Sequence, residues 1–452
     1  MASELKRRLG FGSATALVVG EVIGVGIFLT PAGMAKVLGS PLWLLIVWLT
    51  MAVVTLCGAL CLGELAARVP AAGGLYVYLR EAFGPRTAFL FGWMSLLVMD
   101  PGLTALLATG IATYLGQVFT LSVVASKGVA SATILVLAVV NMVGVRLGAA
   151  VLRGLTVLKL GFLAGVVCWG FAGGHGAWSH FTPFVDRLPG SPLAEALAGG
   201  LISAFFSFAG WWDACKMTGE LRDPQRTMPR ALALGVAIVT AVYLAVSAVF
   251  LYLVPVEEVV DSETFAAQAG EIMFGPAGRV VFSLIVVVVV LGTLASFSMG
   301  APRVYYAMAR DGLFWPAVAQ VHARFGTPIR AIAIQAILGC LLVLSGTFEQ
   351  ILAYFFFVVV AFLALTIAGL FKVRRRSLTM PAYTTPGYPI TPLLFLIPIG
   401  AVLVLLAMEN PQRSALGVAV VALGVPVYGL FFRHGNANDK WASSIEREEN
   451  GQ

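Results

Sequence analysis

The sequence predicts an all-α integral membrane protein of twelve transmembrane helices, on three observations. Of the 452 residues, 59% are hydrophobic and 11% charged, with a mean hydropathy of +0.93; a soluble domain is about 45–50% apolar and about 25% charged. Apolar runs recur from residue 11 to residue 432 with short polar interruptions, which leaves no stretch for a soluble catalytic domain. Basic residues, finally, collect in alternate loops.

A helix that crosses a bilayer needs roughly 20 apolar residues. That length divides the chain into runs at 11–37, 42–67, 86–118, 122–144, 151–173, 193–218, 230–254, 277–309, 329–346, 349–371, 391–408 and 412–432. The first follows the basic segment MASELKRRLGFGS and is longer than the roughly 7–15-residue core of a signal peptide. It lacks a small-residue cleavage site, so it reads as a retained span preceded by a short N-terminus, residues 1–10. The ninth and tenth runs are separated only by the turn SGTFEQ.

With the N-terminus inside and the runs alternating, cytoplasmic segments collect roughly 22 of the 29 Lys and Arg residues, including Lys6, Arg7, Arg8, Arg222, Arg226, Arg230 and KVRRR at 372–376. About five fall outside: Lys36, Lys127, Arg187, Arg279 and Arg413. The acidic stretch VEEVVDSE, 256–263, then lies outside as well. An even number of spans, both termini cytoplasmic and a location in the cell inner (plasma) membrane follow as expectations. Anionic lipid headgroups and topology account for the sequence pI of about 9.3, and no nucleic-acid partner is needed.

The first run contains EVIGVGIF, residues 21–28. Each glycine costs a helix about 1 kcal/mol relative to alanine, and a carboxylate such as Glu21 adds about 3 kcal/mol on insertion scales. Non-helical backbone at membrane depth survives only where it is buried in protein or lines a polar cavity. Gly24 and Gly26 also fit a small-residue helix contact, but Glu21 three residues earlier favours the cavity. A break here frees N–H groups at the positive end of a half-helix, which suits a carboxylate. A second break in an oppositely oriented helix would offer carbonyls to an ammonium, and the sixth run, FFSFAGWWDACKMTGELRDPQRTMP at 205–229, carries Gly210 at the corresponding place.

These residues, with PAAGGLYVYLREAFG at 70–84, FSFAGW and GELRDPQRTMP at 206–229 and RVYYAMARDGLFWP at 303–316, resemble the signatures of the amino acid, polyamine and organocation transporter superfamily. The chain looks like a bacterial relative of the L-type amino-acid transporters over nearly its whole length. The resemblance implies a 5+5 inverted repeat, helices 1–5 at 11–173 and helices 6–10 at 193–372. Helices 1 and 6 are unwound, two C-terminal helices follow at 391–432, and a cytoplasmic tail occupies 433–452. It implies a secondary amino-acid transporter working by alternating access, sodium-independent and an exchanger; the alternatives are a polyamine or cationic amine carrier, proton-linked through Glu21, and, from another class, a channel or a membrane-embedded enzyme. Carried over by position, the substrate carboxylate meets the backbone at Val22, Gly24, Val25, Gly26 and Ile27. The ammonium meets carbonyls near Phe206, Ser207 and Ala209. Phe206 falls where the family has an aromatic gate. Lys159, deep in the fifth run, falls where sodium-coupled relatives hold the ion, tying helix 1 to helix 5; by position alone it could also snorkel from the inner end.

The chain departs from these relatives at several points. Val25 stands where most carry Ser or Thr. Glu21 has three open roles: facing a cationic substrate, relaying a proton, or packing against Lys159 or another cation. Asp100 reads equally as an internal ion-pair partner or a substrate contact. Asp213 and Lys216, three apart on a helix, can pair with each other, and Trp211 and Trp212 either narrow the site or pack. The segment TLSVVASKG at 120–128 lacks the cysteine through which animal L-type transporters join a glycoprotein, so no heavy-chain partner is expected.

The remaining chemistry is sparse. His175, His180, His322 and His434 fall in expected loops or tails and form no metal-ligand pattern. The five cysteines fall within apolar runs and give no disulfide framework. No cofactor is implied, and neither a phosphate-binding loop nor a nucleophile elbow occurs, so the chain reads as no enzyme.

Overall fold

The computed structural model describes residues 5–187, 192–259, 265–346, 348–376 and 380–432. The tail at 433–452, with His434, lies outside the described residues, as does 260–263 of the acidic stretch. The described residues form helices joined by turns, apart from one parallel bridge between Leu9 and Leu221.

In chain order the α-helices are α1 (Phe11–Val22), α2 (Gly26–Leu38), α3 (Pro41–Arg68), α4 (Leu75–Phe83), α5 (Pro85–Met94), α6 (Asp100–Gly116), α7 (Val123–Val143), α8 (Val145–Ala172) and α9 (Leu193–Phe208). There follow α10 (Pro224–Leu253), α11 (Phe265–Phe274), α12 (Gly278–Gly300), α13 (Pro302–Arg310), α14 (Ile329–Ser345), α15 (Phe348–Arg376), α16 (Ile390–Glu409) and α17 (Pro411–Phe431). Among the described residues, ten helical stretches are long and apolar enough to cross a membrane, and an eleventh is the pair α1 and α2, bent by 45°. The apolar helix α14 has 17 residues and falls just short. This is a multi-pass, all-helical membrane protein.

Local chemistry sets the boundaries. Proline at the first helical turn opens α3, α5, α10 and α17, where its missing N–H costs nothing. Ser122 caps α7 by accepting the Ala125 N–H at 3.2 Å. Gly346 ends α14 in the left-handed conformation, separating the ninth and tenth runs at the expected turn. The third run has a feature that periodicity does not announce. A π-helical turn, Ser95–Met99, joins α5 to α6, and the Asp100 N–H donates to the Ser95 carbonyl five residues back.

The segment PAAGG before α4 folds against the sixth run. A Cβ at Gly74 would lie 2.9 Å from the Lys216 backbone nitrogen, so only glycine permits this approach. The Gly73 N–H donates to the Lys216 carbonyl at 3.0 Å. On the same face the Arg8 and Leu9 N–H groups donate to the Glu220 carbonyl at 2.8 and 2.9 Å, and Arg222 returns a bond to Leu9. The residues before α1 are thus stitched to the end of the sixth run. This face also carries Arg80 paired with Asp311, and Arg374 on Glu64 at 2.5 Å; we call it the basic face.

Candidate functional site

The stretch EVIGVGIF is where the first span stops being a helix. α1 ends at Val22, α2 begins at Gly26, and Ile23 between them is extended, with ψ 91°. Among the described residues, no backbone carbonyl accepts the N–H of Gly24, Val25, Gly26 or Ile27. These are the unpaired donors of a helix start, gathered at the positive end of its dipole. Val22 is different: it is the last residue of α1, and it offers its carbonyl.

A second interruption follows α9. Gly210 takes φ +107°, which a side chain would strain, and the chain resumes as a 3-10 helix from Trp211 to Glu220. The Phe206 carbonyl accepts the Ala209 N–H at 3.2 Å. The Ser207 carbonyl accepts the Tyr243 hydroxyl at 2.8 Å.

The two interruptions abut. A Cβ at Gly26 would lie 3.0 Å from Ser207 Oγ, and one at Gly210 would lie 3.2 Å from the Glu21 carbonyl oxygen. Thr30 Oγ1 and Ser207 Oγ are 2.6 Å apart. The Tyr243 hydroxyl is also 3.0 Å from the Val22 carbonyl, so one side chain from α10 touches both breaks.

The carbonyls of Gly20, Val22 and Ile23, released at the end of α1, find side-chain donors on other helices, as burial in hydrocarbon demands. Lys159 Nζ, from α8, donates to Gly20 at 3.0 Å and Ile23 at 2.8 Å. Thr293, from α12, donates to Ile23 at 2.9 Å, and Ser296 to Leu17 at 3.1 Å. Lys159 is wholly buried, so its ammonium is held at the break and does not reach for the membrane surface.

Other residues singled out in the sequence take distinct places. Phe206 is 46% exposed and stacks on Phe356 of α15, with ring centroids 3.7 Å apart at 15°. Trp211 is buried, edge-on to Trp212 and to Phe395. Glu21 is buried on the basic-face side of the breaks, where Ser296, Asp213, Lys216 and Lys159 surround its carboxyl group. Asp100 and Asp213 both pair with Lys216, at 3.2 and 2.8 Å, and Tyr305 donates to Asp100 at 3.0 Å. Asp100 is therefore in an ion pair, and the i, i+3 pairing of Asp213 with Lys216 is present.

Sequence reasoning did not single out Tyr243, Thr293, Ser296 or Tyr305. The available signal was a hydroxyl in the middle of an apolar run, in TAVYLAV and in LGTLASFSMG. Such groups satisfy a neighbouring helix only when the fold supplies one, so the signal becomes specific only beside the broken backbone.

A family model described as amino acid permease matches residues 9–431. The chain belongs to the amino acid permease family. This permease is similar to the serine/threonine exchanger SteT of Bacillus subtilis (strain 168), 28% identical over 428 residues, covering 94% of this chain and 96% of the relative. It is similar to the b(0,+)-type amino acid transporter 1 of Homo sapiens, 28% identical over 452 residues, covering 98% of this chain and 91% of the relative. It also matches the human large neutral amino acids transporter small subunit 2, 28% identical over 439 residues, covering 95% and 82%. The permease is thus an amino acid transporter of the amino acid, polyamine and organocation superfamily and no enzyme, and exchangers are among its relatives.

Proposed function

We propose that this permease exchanges zwitterionic amino acids across the plasma membrane by alternating access, without sodium. The observation that carries the reading is the abutment of two broken helices with opposite polarity. The N–H groups of Gly24, Val25, Gly26 and Ile27 face the carboxylate, with Val22 closing the turn behind them. The carbonyls of Phe206, Ser207 and Ala209 face the ammonium. A zwitterion fits this pair of half-helix ends because each charge meets a dipole of opposite sign. Val25 supplies backbone only, so the carboxylate is held without a hydroxyl.

Phe206 closes the site from the far side of the membrane; its half-exposed ring, resting on Phe356, supports a part that moves with substrate. Lys159 replaces a coupling cation: its ammonium occupies the carbonyl cage that a sodium ion would need. Twelve crossings arise when α14 is counted as a short span beside the eleven longer candidates. An inverted repeat of 11–173 and 193–372, followed by 391–432, fits the two breaks near the start of each half. The basic face then lies in the cytoplasm with both termini. The absence of a cysteine at 120–128 supports a transporter that works without a heavy-chain partner.

Uptake by purified permease in liposomes decides the reading. Labelled L-serine, L-leucine and L-arginine are offered to vesicles that are empty or preloaded with the same unlabelled amino acid, in sodium or in choline medium. Saturable uptake of at least one zwitterion, stimulated by preloading and equal in both media, is expected. Unsaturable flux, or a sodium requirement, overturns it.

A further inference from the structure

Five ionisable side chains share one closed compartment on the basic-face side of the breaks. Glu21 comes from α1, Asp100 from α6, Lys159 from α8, and Asp213 and Lys216 from the 3-10 segment at 211–220. Their exposures are 6%, 0%, 0%, 2% and 1%. Among the described residues the other packed elements bring neutral groups, Tyr243 from α10, Thr293 and Ser296 from α12 and Tyr305 from α13, while the one charged side chain of α13 at this segment, Arg303, is taken up by Glu220. The compartment therefore contains three carboxyl groups against two ammonium groups. Among the described residues the other buried carboxyls each have a cationic partner: Glu64 meets Arg68 and Arg374, and Glu220 meets Arg303 at 2.8 Å.

An uncompensated charge in this setting carries a large desolvation cost, and the usual remedy is neutralisation by a proton. The geometry indicates where the proton resides. Asp100 has Lys216 and Tyr305 as donors, and Asp213 has Lys216 within ion-pair distance. Lys159 directs its hydrogens to the Gly20 and Ile23 carbonyls. Glu21 Oε1 and Asp213 Oδ1 are both buried with no hydrogen-bond partner among the described residues, but Asp213 Oδ1 has the Lys216 ammonium 2.8 Å away, whereas no salt bridge reaches Glu21 among the described residues. A carboxylate oxygen left without a donor is far more costly than the carbonyl oxygen of a neutral acid.

We propose that Glu21, Asp100, Asp213, Lys159 and Lys216 form a proton-binding site that holds one proton, on Glu21 in this conformation, and that the proton is co-transported. Lys216 belongs to the broken sixth run, whereas Asp100 belongs to the third. Opening of the basic face parts them and leaves Asp100 as a second carboxylate short of a cation. The proton leaves Glu21 for solvent, or moves to Asp100, at that step. The coupling half of the proposal rests on the transport reading above; the proton site itself does not.

The two halves are tested separately. Infrared spectra of the purified permease in lipid at neutral pH, in H2O and D2O, report a neutral buried carboxyl by its carbonyl stretch and its isotope shift. The band is expected in the native protein. It is lost in each of Glu21→Gln, Asp100→Asn and Asp213→Asn, because any one amide restores two carboxylates to two ammoniums. It doubles in Lys216→Met. Absence of the band from the native protein, or its survival in Glu21→Gln, overturns the proton site, and the native measurement needs no variant to fold. Coupling is read from exchange of L-serine in liposomes under an imposed pH gradient. Acid outside should speed uptake severalfold, with the ratio falling to unity in Glu21→Gln. A native protein that has the band but ignores the gradient overturns coupling alone. If L-serine is not exchanged at all, the transport reading fails while the band still decides the site. Should the band be absent and Glu21→Gln abolish stabilisation by L-arginine or putrescine, the cluster is a cation subsite and the proton proposal falls.

Discussion

The ammonium of Lys159 lies 2.8 Å from the carbonyl oxygen of Ile23 and 3.0 Å from that of Gly20, linking α8 to the frayed end of α1. Without it the Gly20 carbonyl would lose its side-chain donor, and the Ile23 carbonyl would keep only the Thr293 hydroxyl at 2.9 Å. A hydrogen bond from a charged donor contributes about 1.5–3 kcal/mol. Lys159→Met, similar in volume and without the charge, should therefore weaken amino-acid binding tenfold or more while the protein still elutes as a monodisperse species. Native exchange should be identical in sodium and choline. Binding restored to Lys159→Met by sodium would identify the vacated cage as a cation site and strengthen the assignment; unchanged binding in the variant would refute it.

The glycines at the breaks predict a graded steric series. Gly210→Ala meets two penalties: a φ of +107°, costing about 1–3 kcal/mol for a side chain, and a Cβ only 3.2 Å from the Glu21 carbonyl oxygen. Gly26→Ala meets only a steric one, a Cβ 3.0 Å from Ser207 Oγ, which can rotate at the expense of its contact with Thr30, and 3.2 Å from Ser207 Cα, which the backbone must relieve by a small shift. Gly33→Ala meets nothing within 4 Å and gains about 1 kcal/mol of helix propensity. Thermal unfolding in detergent should therefore rank Gly33→Ala at or above native, Gly26→Ala below it and Gly210→Ala lowest. Ligand-induced stabilisation should be lost first at Gly26.

Much of this architecture was legible because a bilayer constrains sequence strongly. Run lengths placed the spans to within a few residues, and Glu21 beside Gly24 and Gly26 located the first break by its cost alone. The second break had weaker support, since only Gly210 marks it, and the 3-10 form of 211–220 left no periodic trace. The π turn at Ser95–Met99 was equally silent, because one extra residue in a uniformly apolar run changes no pattern. The partners of Lys216 show the general limit. Asp213 was visible at i, i+3, whereas Asp100, 116 residues away, could be paired with it only once three elements were packed together.

Tyr243 gives a test of how tightly the breaks are coupled. Its hydroxyl lies 3.0 Å from the Val22 carbonyl and 2.8 Å from that of Ser207, and its ring meets Trp48 edge-on at 5.2 Å. Tyr243→Phe keeps the ring packing and removes only the hydroxyl. One net hydrogen bond is worth about 0.5–1.5 kcal/mol, so the dissociation constant for an exchanged amino acid should rise roughly two- to tenfold. Tyr243→Leu should cost more stability without a larger loss in affinity than the hydroxyl explains. Equal affinity of native and Tyr243→Phe would mean that the breaks are positioned by backbone packing alone.

Closure of the basic face can be read through Cys215, which is wholly buried on the 3-10 segment between Asp213 and Lys216. The segment is held by Lys216 on Asp100 and, five residues on from Cys215, by Glu220 on Arg303, whose side chains are 0% and 1% exposed. Removing one partner of a buried ion pair costs about 3–5 kcal/mol, because the other charge is left unpaired. Glu220→Gln should therefore shift the permease toward the form open at this face. With Cys57, Cys61, Cys168 and Cys340 replaced by alanine, a maleimide applied to that side should label Cys215 at least tenfold faster in Glu220→Gln than in the parent. Arg303→Met should act in the same direction, and the double variant should be less affected than the sum of the two, since neither charge then remains stranded. Saturating amino acid added from the opposite side should speed labelling of the parent if that ligand drives the same opening. Labelling that is equally slow in all three variants would show that the ion pair does not hold this face shut.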